Sequence, residues 1–301
     1  MAKSRSKSQS SSMIALAGGT FRMGSEAFYA DERPCREVTV AAFEIDVYPV
    51  TYADFRRFVD ATGYVTDAEK AVDPARFPGA DPALLLPGAA VFTPTAGPVP
   101  LDSHFRWWQF VPGASWRHPL GKGKSLKGIA KHPVTQVSFN DAMAYAEWVG
   151  KDLPTEAEWE FAGRGGLVGK EYAWGDELHP DGKRLAKTFE GAFPWRNDAP
   201  PGLERTAPVG SYPPNPYGLH DMIGNVWEWT KDPYHRLEAP TRSCCSSSQQ
   251  ADDPAASLKV LKGGSHLCAP EYCQRYRPAA RHPQPIDEAT SHIGFRCVRR
   301  Q

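Results

Sequence analysis

Near the start of the chain, apolar and polar residues alternate with period two in GGTFRMGS (from Gly18) and EVTV (from Glu37), with glycines between the runs. This pattern predicts short strands around a turn, a β-hairpin within residues 14–40. The period then becomes helical. Thr51 reads as an N-cap, Phe55, Phe58 and Val59 fall on one face, and Gly63 ends the helix. A second helix is expected from Asn140, with Ala142, Tyr145, Ala146 and Trp148 on it and a stop at Gly150. Thr155 and Glu158 form a capping box for a third, carrying Trp159 and Phe161, after a turn around Pro154.

Residues 71–100 are rich in Pro, Ala and Gly without periodicity and read as a long surface excursion. The second half has almost no helical period. FPWRND, TAPVGSYPPNPYGL, GNVWEWT and LKGGSHLC are strand and loop fragments. With no internal repeat and no linker, residues 13–301 are expected to form one intertwined domain. The basic, serine-rich residues 1–12 are expected to be a disordered tail.

Composition sharpens this picture. Nine Trp, eleven Tyr, 28 Pro and 26 Gly favour short elements joined by long ordered loops and pinned by buried aromatics. Thirty-five basic residues balance 35 acidic ones, so nothing marks a nucleic-acid or anionic-membrane partner. No export signal or spanning stretch is visible, and a cytoplasmic protein is the expectation. The rings of Phe105, Trp107, Trp108, Phe110 and Trp116 need shelter from water. Each either anchors core and loops or lines a substrate site, and Trp107 and Trp116 are the candidates for the second role.

Six cysteines are too few and too unevenly placed for a disulfide scaffold. Cys268 and Cys273 are five residues apart, on opposite faces of a strand or about 140 degrees apart on a helix. They converge only if the chain turns between them, and Pro270 makes that turn plausible. A disulfide, a redox pair and half of a metal site all stay open. Zinc wants four ligands and finds no second pair, whereas two sulfurs suit Cu(I). Asp221 and Glu228 bracket a tight loop, where two carboxylates with the carbonyls of Gly224 and Val226 can offer hard oxygen ligands.

GGSHLCAPEYCQRYRPAAR from Gly263, its continuation to HIGFRC, and the stretches LPTEAEWEFAGRGG, YGLHDMIGNVWEWT and WRHPLG resemble the formylglycine-generating enzyme (sulfatase-modifying factor) family, bacterial in type. The resemblance runs from about Gly18 to Arg299, and the paired cysteines distinguish the oxidase from its relatives. It implies a single loop-rich α/β domain with little regular structure, related to C-type lectins. It implies that Cys268 and Cys273 bind Cu(I), that Ser265 serves catalysis, and that Tyr272, Arg281 and His292 line the pocket, His292 standing where other members carry Asn. The substrate would be the cysteine of a CxPxR motif in an unfolded sulfatase polypeptide, converted to Cα-formylglycine with O2 and a thiol reductant.

The resemblance also implies one structural Ca2+ at Asp221, Gly224, Val226 and Glu228. At a second calcium site Lys187 and Pro201 replace the usual ligands, and the Lys187 ammonium is expected to stand in for the ion. Disulfide partners of other members correspond to Ala146, Gly163 and Pro278, leaving Cys297 alone, which fits a reducing compartment. Cys35, Cys244 and Cys245 receive no role. The competing functions are a non-catalytic lectin-like binding module, an iron-dependent C–S bond-forming enzyme, which would need an additional iron-binding helical domain, and a thiol-disulfide oxidoreductase, which would favour CxxC.

Overall fold

A computed structural model describes residues 12–76, 78–124, 128–235 and 258–300. Apart from Ser12, the expected tail lies outside the described residues, as do Cys244 and Cys245.

The local signals produce the local elements. Helix α1 (Tyr52–Thr62) starts with a reciprocal cap: Asp54 donates its N–H to the Thr51 hydroxyl and its carboxylate accepts the Thr51 amide. It ends at Gly63 in the left-handed conformation (φ 70°). Helix α2 (Phe139–Trp148) begins one residue before the expected Asn140, because Ser138 caps it in a box with Asp141. Helix α3 (Glu156–Arg164) uses Thr155 and Glu158 in the same way.

The expected hairpin is present as Gly19–Met23 paired antiparallel with Arg36–Val40. A three-stranded sheet places Phe43–Asp46 between Met13–Leu16 and Val298–Arg300. A four-stranded sheet runs in the order Arg281–Pro285, Leu258–Lys262, Trp227–Pro233, Ile293–Gly294, its last pair parallel. Residues 71–100 are not a surface excursion throughout. Gly88–Phe92 is a strand paired with Trp108–Pro112, and Ala89, Val91 and Phe92 are buried. The run is short and flanked by Pro, so its period-two signal is lost among its neighbours.

Between α1, α2 and the sheets lies the larger core, where Phe55 meets Trp116, Tyr145 and Phe295 at ring centroid distances of 5.2, 5.9 and 6.4 Å. Trp116 is therefore a core residue and not a substrate contact. It is 1% exposed, and its indole N–H reaches Glu69 at 3.3 Å. A second core packs α3, through Trp159 and Phe161, onto Phe43, Ile45 and Val298.

Buried ion pairs tie these layers together. Arg296 grips Glu228 through two hydrogen bonds of 2.7 and 2.8 Å, and neither residue is exposed. Arg281, Glu156, Lys262, Glu160 and Arg164 form a chain of alternating charge between α3 and the four-stranded sheet. Among the described residues the cysteines Cys35, Cys268, Cys273 and Cys297 are free thiols, and no helix is long and apolar enough to cross a membrane.

Asp141, at the start of α2, gives this core a pH dependence. Burial first, and the nearby Asp67 charge, raise its pKa from 3.8 to about 6. The folded state therefore binds the proton more tightly than the unfolded chain. The resulting stability is present below pH 3.8 and lost as pH rises through about 6. Between about pH 4.5 and pH 7.5, wild type is expected to lose about 2 kcal/mol relative to Asp141→Asn, read from urea unfolding of both proteins.

Candidate active site

The site starts where the Leu258–Lys262 strand runs into Gly263 and Gly264, both at positive φ (91° and 71°). A Cβ on Gly264 would lie 2.6 Å from the Arg275 carbonyl oxygen, so glycine alone lets these two segments cross. Two successive turns follow. Cys268 donates its amide to the Ser265 carbonyl (3.0 Å), then Tyr272 and Cys273 both donate theirs to the Ala269 carbonyl (3.0 and 2.8 Å). The turn expected at Pro270 is the second of these, and it brings the two thiol sulfurs to 3.1 Å.

The two thiols are not equivalent. Cys268 is 2% exposed, and burial first, then Cys273, push its pKa well up. Cys273 is only half-buried, and its pKa is lowered. The hydrogen bond from Cys268 is the main cause, helped by the Arg275 amide and the charges of Arg275 and Arg277. Cys273 is thus the more acidic thiol of the pair, and Cys268 holds its proton more tightly. Ser265 is fully buried beside them. Its amide points at the Cys268 sulfur (3.4 Å), and its hydroxyl oxygen accepts the Leu267 amide (3.2 Å), which leaves the hydroxyl hydrogen free to donate.

Tyr272 is 39% exposed and is the open face of an aromatic wall. It stacks on Phe193 at 4.7 Å and meets the edge of Trp107 at 5.1 Å. Trp107 is fully buried behind it, so it supports the wall and does not itself offer a surface to a substrate; its indole nitrogen has no hydrogen-bond partner among the described residues. His292 packs on Trp108 at 4.7 Å, with Nδ1 at 2.8 Å from the Thr290 hydroxyl, and burial keeps its ring neutral. Phe105, 77% exposed, lies on the same Trp107-bearing segment.

Arg281 does not line this site. Its guanidinium holds both oxygens of Glu156 at 2.8 and 3.0 Å and donates to the backbone carbonyls of Asp31 and His235, so its donors are taken up inside the fold. Arg275 and Arg277 are the arginines that face Cys273. The 28–32 loop holds them there: Asp31 pairs with Arg275 (3.0 Å) and Tyr29 lies under it (3.9 Å), while Glu32 grips Arg277 at 2.6 and 2.8 Å. Sequence reasoning passed over this support. Its only trace is that FYADE is complementary in charge to QRYR, more than 240 residues away.

The loop expected to hold calcium turns tightly, with Asp221, Gly224 and Asn225 all at positive φ. Of the expected ligands, Glu228 faces Arg296 with both oxygens, and one of them also takes the Trp159 indole N–H at 2.7 Å. Asp221 is different. It is buried, it accepts the Gly210 amide at 2.8 Å and the Asn225 side chain at 3.4 Å, and burial raises its pKa. A desolvated carboxylate whose hydrogen bonds come from neutral donors suits a cation. His266 ties this loop to the thiols, with Nδ1 at 2.8 Å from the Asn225 carbonyl.

The family model described as a sulfatase-modifying factor enzyme 1-like domain matches residues 1–301. The formylglycine-generating enzyme of Mycobacterium tuberculosis is 56% identical over 291 residues, 95% of this chain and 97% of that protein. A Mus musculus relative named inactive C-alpha-formylglycine-generating enzyme 2 is 38% identical over 301 residues, 96% of this chain and 86% of that protein. Among solved structures, PvdO from Pseudomonas aeruginosa shares the fold, with a TM-score of 0.63 at 24% identity over 96% of this chain and 94% of that one. Single-domain and loop-rich, with its thiols paired on a double turn, the chain belongs to the formylglycine-generating enzyme (sulfatase-modifying factor) family.

Proposed function

We propose that the protein converts the cysteine of a CxPxR segment in an unfolded sulfatase polypeptide to Cα-formylglycine, using Cu(I), O2 and a thiol reductant. The observation that carries this reading is the 3.1 Å approach of two free thiols, one of them made more acidic by its surroundings, beside a half-exposed tyrosine. The donor set fits the metal: two soft sulfurs, with no group of three or more His, Cys, Asp or Glu among the described residues that would favour zinc. Cys268 and Cys273 would hold it, Cys268 giving up its proton on loading. When bound, Cu(I) supplies one-electron chemistry and an affinity for the substrate thiolate and for O2.

The chain's own residues do the rest. The Arg275 amide and the two guanidinium charges lower the pKa of Cys273 and favour its ionised form. The Ser265 hydroxyl hydrogen is available to an anionic atom next to Cys268. The exposed ring of Tyr272, made rigid by Phe193 and Trp107, gives an extended peptide an apolar surface. In the overall change the substrate thiol, O2, a pair of protons and a pair of electrons give the aldehyde, hydrogen sulfide and water. The electron pair comes from oxidation of two reductant thiols to a disulfide.

The test is to incubate the Cu(I)-loaded protein with a CxPxR peptide, O2 and a thiol reductant and to follow the peptide by mass spectrometry. Replacement of the thiol by an aldehyde, abolished by a Cu(I) chelator, is the expected result. An unchanged peptide would move the reading to a non-catalytic binding module of the same fold.

The same reading assigns one Ca2+ to Asp221, the carbonyls of Gly224 and Val226, and Glu228, whose oxygens also face Arg296. Lys187 supports a second site without an ion: it is 1% exposed, its ammonium is 2.9 Å from Glu190, and its carbonyl accepts the Asn225 amide of the same loop. Removal of calcium by a chelator is expected to lower the melting temperature by several degrees, and Asp221→Asn to abolish that difference. A cytoplasmic location is supported by the free, buried Cys297 thiol.

A further inference from the structure

Arg205 stands apart from the buried ion pairs. Its Nη2 donates to the Phe92 carbonyl at 3.3 Å, but its Nη1 is buried and has no hydrogen-bond partner among the described residues. Its sequence neighbour Glu204 is exposed, and that carboxylate accepts the Gly202 amide instead. Burial pulls the guanidinium below its usual range. A half-buried cation whose buried donor is unused gains when something negative meets that donor.

Beside Arg205 is a small, partly open pit of about 20 Å3, walled by Tyr52, Leu120, Ile129, Thr135, Thr206 and Ser291. Besides Arg205, its polar lining residues all carry hydroxyls, and none carries a carboxylate. The Ser291 oxygen accepts the Phe92 amide at 3.1 Å, so the hydroxyl hydrogen is free. Tyr52 and Thr135 share one hydrogen between oxygens 2.6 Å apart, and the other hydrogen of that pair is free too. The pit therefore gathers a cation and two unused O–H donors.

We propose that this pit binds a small monatomic anion, chloride under cellular conditions, held by Arg205, Ser291 and the Tyr52–Thr135 pair. The volume admits a particle about the size of a water molecule and excludes sulfate or phosphate. Water would bring two hydrogens that need acceptors and no charge to offset the guanidinium, whereas the lining presents free donors and a positive charge. The ion has a structural consequence. Arg205 holds the Phe92 backbone, the Phe92 ring stacks on Phe193 at 5.8 Å, and Phe193 stacks on Tyr272, so the anion fixes the rear of the aromatic wall.

The test uses crystals of the protein grown or soaked in sodium bromide, with data collected at the bromine absorption edge. It is joined by thermal melts in sodium chloride and sodium gluconate at equal ionic strength, for wild type and Arg205→Met. The expected result is an anomalous peak between Arg205 and Ser291, with a wild-type melting temperature higher by about 5 °C when chloride exceeds its dissociation constant a hundredfold. The chloride dependence should vanish in the variant; if Arg205→Met does not fold, the wild-type map and melts decide. No peak with equal melting in both salts would show a neutral occupant and overturn the proposal. A peak without any chloride dependence of melting would reduce it to binding at crystal concentration only, and would overturn it equally.

Discussion

Cys273→Ser is expected to lower aldehyde formation at least about a thousandfold and to remove Cu(I) binding, while melting stays within a few degrees of wild type. The separation of the two effects follows from the geometry. Cys273 is only half-buried, and a serine oxygen still accepts the Arg275 amide, so the double turn from Ser265 keeps its hydrogen bonds. What is lost is the soft donor 3.1 Å from Cys268. Because the two sulfurs act as a unit, Cys268→Ser with Cys273→Ser should be no slower than either alone. Peptide turnover and a Cu(I) competition titration measure both effects. A variant that retained copper and a tenth of the activity would dismiss the pair as the reacting centre.

The second large effect is on stability. Arg296→Leu is expected to cost about 3–5 kcal/mol, a drop of about 10 °C in melting temperature. Glu228 would keep only the Trp159 indole as a partner in a place with no solvent access, and the carbonyls of Asp46, Val47 and His220 would lose their donor. Adding Glu228→Gln should recover part of the loss, since the uncompensated charge goes with it. Arg296→Lys should recover little, because an ammonium cannot repeat the two-pronged grip of 2.7 and 2.8 Å. Scanning calorimetry of the four proteins separates these terms. Equal melting of wild type and Arg296→Leu would mean that Glu228 is compensated by another cation.

What was legible in the sequence was local. The capping boxes at Thr51 and Thr155 and the turn at Pro270 depend on residues a few positions apart, the hairpin before Val40 on strands that alternate locally and pair within about twenty residues, and each is in the structure. The thiol pair was legible for the same reason. Trp116 and Arg281 were misread because burial and ion pairing depend on partners far along the chain, Phe55 for the one and Glu156 for the other. The loop from Phe28 to Glu32 was invisible as part of the site, since its bearing on Cys273 passes through two arginines about 245 residues away. The Gly88–Phe92 strand was hidden by its small residues, and only pairing with Trp108–Pro112 gives it a period.

The three-stranded sheet has a consequence for how the molecule comes into being. Its middle strand, Phe43–Asp46, needs Val298–Arg300 along one edge, and Arg300 in turn bonds Glu158 and Asp152. Loop closure across some 250 residues precedes that pairing, so the chain has a high contact order and folds slowly. During synthesis the first third of the domain must wait, with its edge uncovered and its apolar face solvated, until the last strand has left the ribosome. Nascent chains stalled before residue 298 should therefore remain protease-sensitive and depend on chaperones, and release of the last strand should convert them to a resistant form.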